Sequence, residues 1–222
     1  MSDEPLDALL ALLRDDPLAP IADSTRGDAR RVHIDDSLSG LEFEQLRDAG
    51  RVADVGSGAG LPGLVIAAEL REAELDMIES VRRKCEFIER AAAAMGLLNA
   101  GVVNGRAEQC GRECARDRTR EPYAAVTARA VARLSTLAEL ASPLLREDGH
   151  LLAWKGRRDP GEEAELERAL PRVAMEVVEV RPVTPYPGSR DRHIHLLRKN
   201  GPTPNDLPRR DGLAAKRPFG GE

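Results

Sequence analysis

The residues best suited to chemistry stand together in one stretch, Ala53-Asp54-Val55-Gly56-Ser57-Gly58-Ala59-Gly60-Leu61-Pro62-Gly63. An apolar run enters it and a helix-forming run leaves it, the context that a glycine-rich ligand loop requires. Glycines let the backbone turn sharply and let a ligand approach where a Cβ would collide. Pro62 suits a first helical turn, where a missing N–H costs nothing.

Two ligands compete for such a loop. Gly58-x-Gly60-x-x-Gly63 matches the dinucleotide spacing, and Gly56-x-Gly58-x-Gly60 matches the form that binds S-adenosylmethionine. Asp54, two residues before the first glycine, separates them. A carboxylate there repels a pyrophosphate but suits a ligand bearing a sulfonium and an ammonium. Asp54, Gly56, Gly58 and Gly60 are therefore candidates for binding S-adenosylmethionine. Glu79 closes the next apolar run, where a carboxylate can accept both hydroxyls of a ribose. That device also serves NAD sites, so it does not discriminate, and a plain surface Glu fits as well. Arg106-Ala107-Glu108 could flank an adenine ring.

These groups need a scaffold, and the pattern supplies one. Strands are expected at Arg51–Val55, Glu74–Ile78, Gly101–Asn104, Tyr123–Thr127, His150–Trp154, Met175–Val180 and His193–Leu197. Helices are expected at Leu61–Leu70, Arg82–Met95, Ala107–Arg116, Ala132–Leu145 and Glu162–Leu170, the last ended by Pro171. Alternation of this kind implies an α/β fold, a mostly parallel seven-stranded sheet covered on both faces. The last strand follows its neighbour with no helix between, which suits an antiparallel strand at the edge. Ligands on such sheets bind beyond the carboxyl ends of the strands, where strand order reverses. Before the sheet, Asp7–Leu13 and Asp35–Arg47 read as helices of a small N-terminal cap. The expected division is a cap over 1–47, a Rossmann-like class I methyltransferase domain over 48–200 and a basic tail over 201–222.

Composition bounds the alternatives. The 222 residues suit one domain with an appendage, and 41% hydrophobic content with 3% aromatics implies a core of aliphatic side chains. No apolar run is long enough for a membrane span, and the acidic start MSDEPLDALL lacks the pattern of a secretion signal. Cys85, Cys110 and Cys114 then read as reduced thiols of a cytoplasmic protein. No metal site is expected, although His193 and His195 share one strand face. The net charge of −5 argues against a nucleic-acid partner, but from Arg190 to Arg217 eight Lys or Arg face three Asp. That segment is either a solvated tail or a contact for phosphate.

Taken in order, Arg31-Val32-His33-Ile34-Asp35-Asp36-Ser37-Leu38, Asp54–Gly63, Glu79-Ser80 with Lys84, Arg106-Ala107-Glu108, Thr127-Ala128-Arg129-Ala130, Lys155-Gly156 and Pro208-Arg209-Arg210…Lys216-Arg217-Pro218 resemble the bacterial small-subunit rRNA guanine-N7 methyltransferase family, also called glucose-inhibited division protein B. The resemblance runs from about Arg31 to Phe219 and fades toward the N-terminus, where Pro17–Ile21 replaces the family's usual stretch. It implies methyl transfer from S-adenosylmethionine to N7 of a guanine in 16S rRNA. It also implies cofactor contacts at Gly56, Leu61, Glu79, Ser80, Ala107, Glu108 and Arg129. Guanine N7 has a free lone pair, so positioning matters more than acid–base help. Arg129 is the catalytic candidate, either touching the cofactor or donating to guanine O6. His33, Lys155, Arg209, Arg210, Lys216 and Arg217 are the RNA-binding candidates. His33 reads equally as a capping or core histidine, and Lys155, with Arg157 and Arg158, as a solvated turn. Trp154 reads as core. The expected partner is 16S rRNA or the small ribosomal subunit, approached by a monomer. Alternatives are methylation of another RNA or small substrate, a non-catalytic RNA-binding relative, and a NAD-type oxidoreductase. For the last, too little chain follows Gly156 to make a substrate domain.

Overall fold

The computed structural model describes residues 4–116 and 123–221. Seven strands form one sheet: β1 (Arg51–Val55), β2 (Glu74–Glu79), β3 (Ala100–Asn104), β4 (Tyr123–Arg129), β5 (Leu145–Lys155), β6 (Met175–Pro182) and β7 (His193–Lys199). Their spatial order is β3-β2-β1-β4-β5-β7-β6. All run parallel except β7, which pairs antiparallel with both β5 and β6. The expected antiparallel strand therefore exists, but it stands one place in from the edge, and β6 is the edge strand. The physical reason is the connection. β5 reaches β6 through a helix, a crossover that keeps the two parallel, and β7 then turns back as a hairpin into the place left between them.

The helices are α1 (Glu4–Asp15), α2 (Asp36–Leu38), α3 (Glu44–Arg47), α4 (Gly63–Glu69), α5 (Arg82–Ala94), α6 (Ala107–Arg116), α7 (Leu134–Ala141), α8 (Pro160–Val173) and α9 (Leu213–Lys216). The strand β1 is buried along four of its five residues, as a central parallel strand covered on both faces must be. One face of the sheet carries α4 and α5, with Leu64, Ile66, Phe87 and Ile88 in the core. The opposite face carries α7 and α8, with Leu134, Leu137, Leu166 and Val173.

The cap joins the first of these cores. Leu6, Leu9 and Leu13 lie on one face of α1 and are buried. Arg90 of α5 pairs with Asp16 just beyond the helix, at 2.8 Å. The single helix expected over Asp35–Arg47 is instead broken. A π-turn at Arg30–Asp35 leads into α2, a 3-10 turn at Ser39–Glu42 follows, and α3 closes the segment. Phe43 takes extended angles so that its ring can be buried, and this divides the run.

Several element ends also differ. Pro62 precedes α4, so that helix starts at Gly63. β5 begins at Leu145, well before the expected His150, and α7 stops at Ala141. Pro171 lies inside α8, which runs on to Val173 and ends where Ala174 takes a left-handed conformation. Pro171 has no N–H to give to the carbonyl four residues back, so the helix continues past it at the cost of one hydrogen bond. The start of α8 is capped by Asp159, whose carboxylate accepts the N–H groups of Gly161 and Glu162.

Candidate functional site

Strand order reverses between β1 and β4, so a crevice opens beyond their carboxyl ends. A cavity of about 570 Å³ occupies this crevice. One wall is the glycine loop, with Gly56, Gly58 and Leu61; another is Arg129 and Ala130 at the exit of β4. The cap closes a third side through Ile21, Thr25, His33 and Asp36.

The loop is shaped for close approach. Gly56 and Gly58 both take positive φ, 69° and 59°. A Cβ on Gly56 would come within 2.7 Å of Val131, so the loop packs directly on the chain leaving β4. A Cβ on Gly58 would meet no neighbour nearer than 3.9 Å, so at that point the backbone faces open space. A ligand can come to the main chain there without displacing protein.

The acidic residues hold this loop from behind. Asp54 is 1% exposed. Its Oδ1 accepts Thr127 Oγ1 at 2.8 Å and its Oδ2 accepts the N–H of Gly63 at 3.2 Å. Burial pushes its pKa up, against the hydrogen bonds and the charge of Arg129. Asp54 does not line the cavity, so its carboxylate braces the turn and is not displayed to a ligand. Glu79 ends β2 and accepts the N–H of Gly58 at 3.0 Å and of Val81 at 2.8 Å. Ser80 beside it is exposed, Gly60 lies within the turn, and Ala107 is buried at the start of α6. None of Asp54, Gly60, Glu79, Ser80, Ala107 and Glu108 touches the cavity itself.

Arg129 Nη1 donates to His33 O at 3.2 Å and to Asp36 Oδ2 at 2.9 Å, tying β4 to the cap. His33 Nε2 lies 2.9 Å from Thr25 Oγ1. Burial, helped by the Arg129 charge, pushes the His33 pKa down to about 4. His33 lines the cavity but as a neutral ring, so it offers no charge to a phosphate. Lys155 also lines the cavity, yet its Nζ pairs with Glu162 at 2.7 Å. Arg158 pairs with Glu163 and Arg157 with Asp191. The basic cluster expected on this rim is thus largely neutralised. Lys84 is the lysine at the cavity with no ion pair among the described residues.

The tail folds back over α6 and α7. Glu108 accepts the N–H of Gly212 at 2.7 Å, and Arg112 and Gln109 both donate to Asp211. Arg209 differs from expectation: it forms a two-pronged ion pair with the buried Glu139 and stacks on Phe219, 3.9 Å from the ring centre. Its guanidinium is committed inside the protein. Arg210, Lys216 and Arg217 are exposed.

Several wall residues have no role at the site that the sequence could assign. Asp36 and Arg192 face each other across the cavity edge at 3.8 Å, and Val183 and His193 join them from the β6–β7 hairpin. Trp154, read as core, is buried and also lines the cavity, with its Nε1 donating to Asp36 O at 2.9 Å. Asp36 and Arg129 lie 93 residues apart, and no periodicity links such positions. His195 sits against Glu163 while His193 Nδ1 lies 3.1 Å from Gly156 O. Among the described residues no group of three or more His, Cys, Asp or Glu is placed to hold a metal ion. The side chain of Cys114 lies outside the described residues. No described helix is long and apolar enough to cross a membrane.

The chain is similar to known proteins both in sequence and in fold. The chain is 43% identical over 193 residues to the ribosomal RNA small subunit methyltransferase G of Rubrobacter xylanophilus, covering 85% of this chain and 72% of that one. It is 40% identical over 223 residues to the protein of the same name from Deinococcus radiodurans, covering 98% and 85%. Among solved structures, Aeropyrum pernix fibrillarin in complex with natively bound S-adenosyl-L-methionine is similar at a TM-score of 0.55 and 16% identity, over 73% of this chain and 72% of that one. A likeness at that identity speaks to the fold. Residues 21–194 match the family described as rRNA small subunit methyltransferase G, and the chain belongs to that family.

Proposed function

We infer that this protein transfers the methyl group of S-adenosylmethionine to N7 of a guanine in 16S rRNA. The observation that carries the reading is the convergence of the glycine loop and Arg129 on one cavity at the β1/β4 switch point. The residues fit the cofactor. The open face of Gly58 admits a ligand to the main chain, and the cavity volume lies in the range of ordinary cofactor sites. When bound, S-adenosylmethionine supplies a methyl on a positively charged sulfur.

Guanine N7 presents its lone pair without first losing a proton, so no side chain has to act as a base. The chain's own task is to bind, align and exclude water. Gly56, Gly58 and Leu61 are proposed to form the floor beneath the cofactor, braced by Asp54 and Gly60 from within the turn. Glu79 and Ser80 stand at the β2 exit for the ribose, and Ala107 and Glu108 at the β3 exit for the base. Arg129 is proposed as the cation for the methionyl carboxylate, because Val131, two residues on, packs against Gly56.

For RNA, the exposed Arg210, Lys216 and Arg217 are proposed to contact phosphates. Arg209 serves by anchoring the segment that carries them. Lys155 and His33 are proposed to shape the base pocket as a paired lysine and a neutral ring. A cap over 1–47, a catalytic domain over 48–200 and a tail over 201–222 are proposed as the working parts of the chain. The enzyme is proposed to act as a cytoplasmic monomer.

The test is mass spectrometry of 16S rRNA from a strain lacking the gene, in which one 7-methylguanine should vanish and return on complementation. Unchanged rRNA would overturn the reading. Calorimetry with S-adenosylmethionine and with NAD separates the methyltransferase from an oxidoreductase, and only the first ligand should bind.

A further inference from the structure

Asp36 is the carboxylate toward which both arginines of the cavity turn. Its Oδ2 accepts Arg129 Nη1 at 2.9 Å, while its Oδ1 stands 3.8 Å from Arg192 Nε. The Asp36 side chain is 8% exposed and that of Arg129 13%. The main chain of Asp36 is held as firmly as its side chain: its carbonyl accepts Trp154 Nε1 at 2.9 Å and Ser39 Oγ at 2.6 Å. Residues from β4, β5 and the entry to β7 therefore converge on one residue of the cap.

A carboxylate this buried is costly unless its partners are well placed. Here the close partner is Arg129, and the fit is unequal. Arg192 Nε is buried with no hydrogen-bond partner among the described residues, so Asp36 does not satisfy it. Arg129 is bound at two points of the same segment, His33 O and Asp36 Oδ2, both through Nη1. No other hydrogen-bond partner of the Arg129 side chain occurs among the described residues, which leaves the rest of its guanidinium for the cavity that it lines. Pinning one nitrogen of a long, flexible side chain removes the rotamer freedom that binding would otherwise have to freeze.

We propose that Asp36 is a positioning residue, which holds the Arg129 guanidinium toward the cofactor and so makes the N-terminal cap part of the cofactor site. The inference rests on the assignment of Arg129 to the cofactor made above.

The experiment is a double-mutant cycle on cofactor affinity, read by calorimetry with S-adenosylmethionine alone. The proteins are the full chain and its Asp36→Asn, Arg129→Ala and doubly substituted forms. Emission of Trp154, the single tryptophan, and the thermal midpoint report whether each variant keeps the cap in place. Asp36→Asn keeps the size of the side chain and the carbonyl that holds Trp154 but removes the charge. It should weaken cofactor binding about ten-fold. In the Arg129→Ala background the same change should have no further effect, because the group through which Asp36 acts is gone.

If Arg129→Ala weakens binding and Asp36→Asn does not, the positioning role fails while the Arg129 assignment stands. If the two effects multiply, Asp36 acts independently of Arg129, by structure or by direct contact, and the proposal is overturned. If Arg129→Ala binds as the unaltered protein does, both readings fall. Should Asp36→Asn not fold, Asp36→Glu, which keeps the charge and displaces it, enters the same cycle with the same expected outcome.

Discussion

Arg209 Nε donates to Glu139 Oε1 at 2.7 Å, joining the C-terminal tail to a carboxylate of α7 that is almost wholly buried. The guanidinium is roofed by Phe219, which also carries Arg172 over its ring at 4.5 Å. A tail rich in cations thus contains one cation whose work is internal. Arg209→Ala leaves Glu139 buried without its partner and should cost about 2–3 kcal/mol of stability, below the full value for a buried pair because Arg209 is 17% exposed. Urea unfolding measures this. A variant as stable as the parent would show that the ion pair does not anchor the tail.

The exposed cations of the tail should behave in the opposite way. Replacing Arg210, Lys216 and Arg217 together by Ala should leave the unfolding midpoint nearly unchanged. It should also flatten the dependence of log affinity on log salt for single-stranded RNA by about 2, roughly 0.7 for each phosphate that is no longer neutralised. Filter binding across a salt series gives the slope, and an unaltered slope places the phosphate contacts elsewhere.

Gly58 offers a clean separation of fold from ligand binding. A Cβ there meets open space, so Gly58→Ala pays only the strain of a positive φ, about 1 kcal/mol. The methyl would stand where the cofactor meets the main chain, and calorimetry should show binding abolished or weakened by at least ten-fold. Undiminished binding would mean that the cofactor does not approach this peptide.

His33 predicts a pH dependence of stability. Its pKa is about 4 in the folded protein and 6.5 in the unfolded chain. Between those values only the unfolded chain takes up the proton, so this residue's contribution to stability falls as pH drops from 6.5 to 4. His33→Gln removes that share, so the thermal midpoint of the parent should fall relative to that of the variant on acidification. Parallel curves from pH 7 to 4.5 would contradict the buried, neutral ring.

Much of the scaffold was legible because its signals are local. The apolar run Arg51–Val55, the glycine cluster after it and the 3.6-residue repeat of Phe87, Ile88 and Ala91 each describe a short piece of chain. In every case the structure has the expected kind of element. Where tertiary packing competes with local preference, reading failed. The burial of Phe43 breaks a run that looks helical, and the hairpin that inserts β7 between β5 and β6 has no mark in the spacing of its residues.

That a ligand turn follows the first strand was determined by the sequence alone, since three alternating glycines constrain their own backbone, although their spacing admits a dinucleotide as well as S-adenosylmethionine. Which charges remain available was decided by the fold. Lys155, Arg158 and Arg209 look alike in a sequence, but each has an acid brought to it by the folded chain, whereas Arg210 has none among the described residues. Asp54 looked like a carboxylate facing a cation and proved to be the brace of Gly63, while Asp36, one letter of a motif, had no role until the chain returned to it 93 residues later at Arg129. Charge pairing acts over a few ångströms in space, and only the packed chain sets those distances.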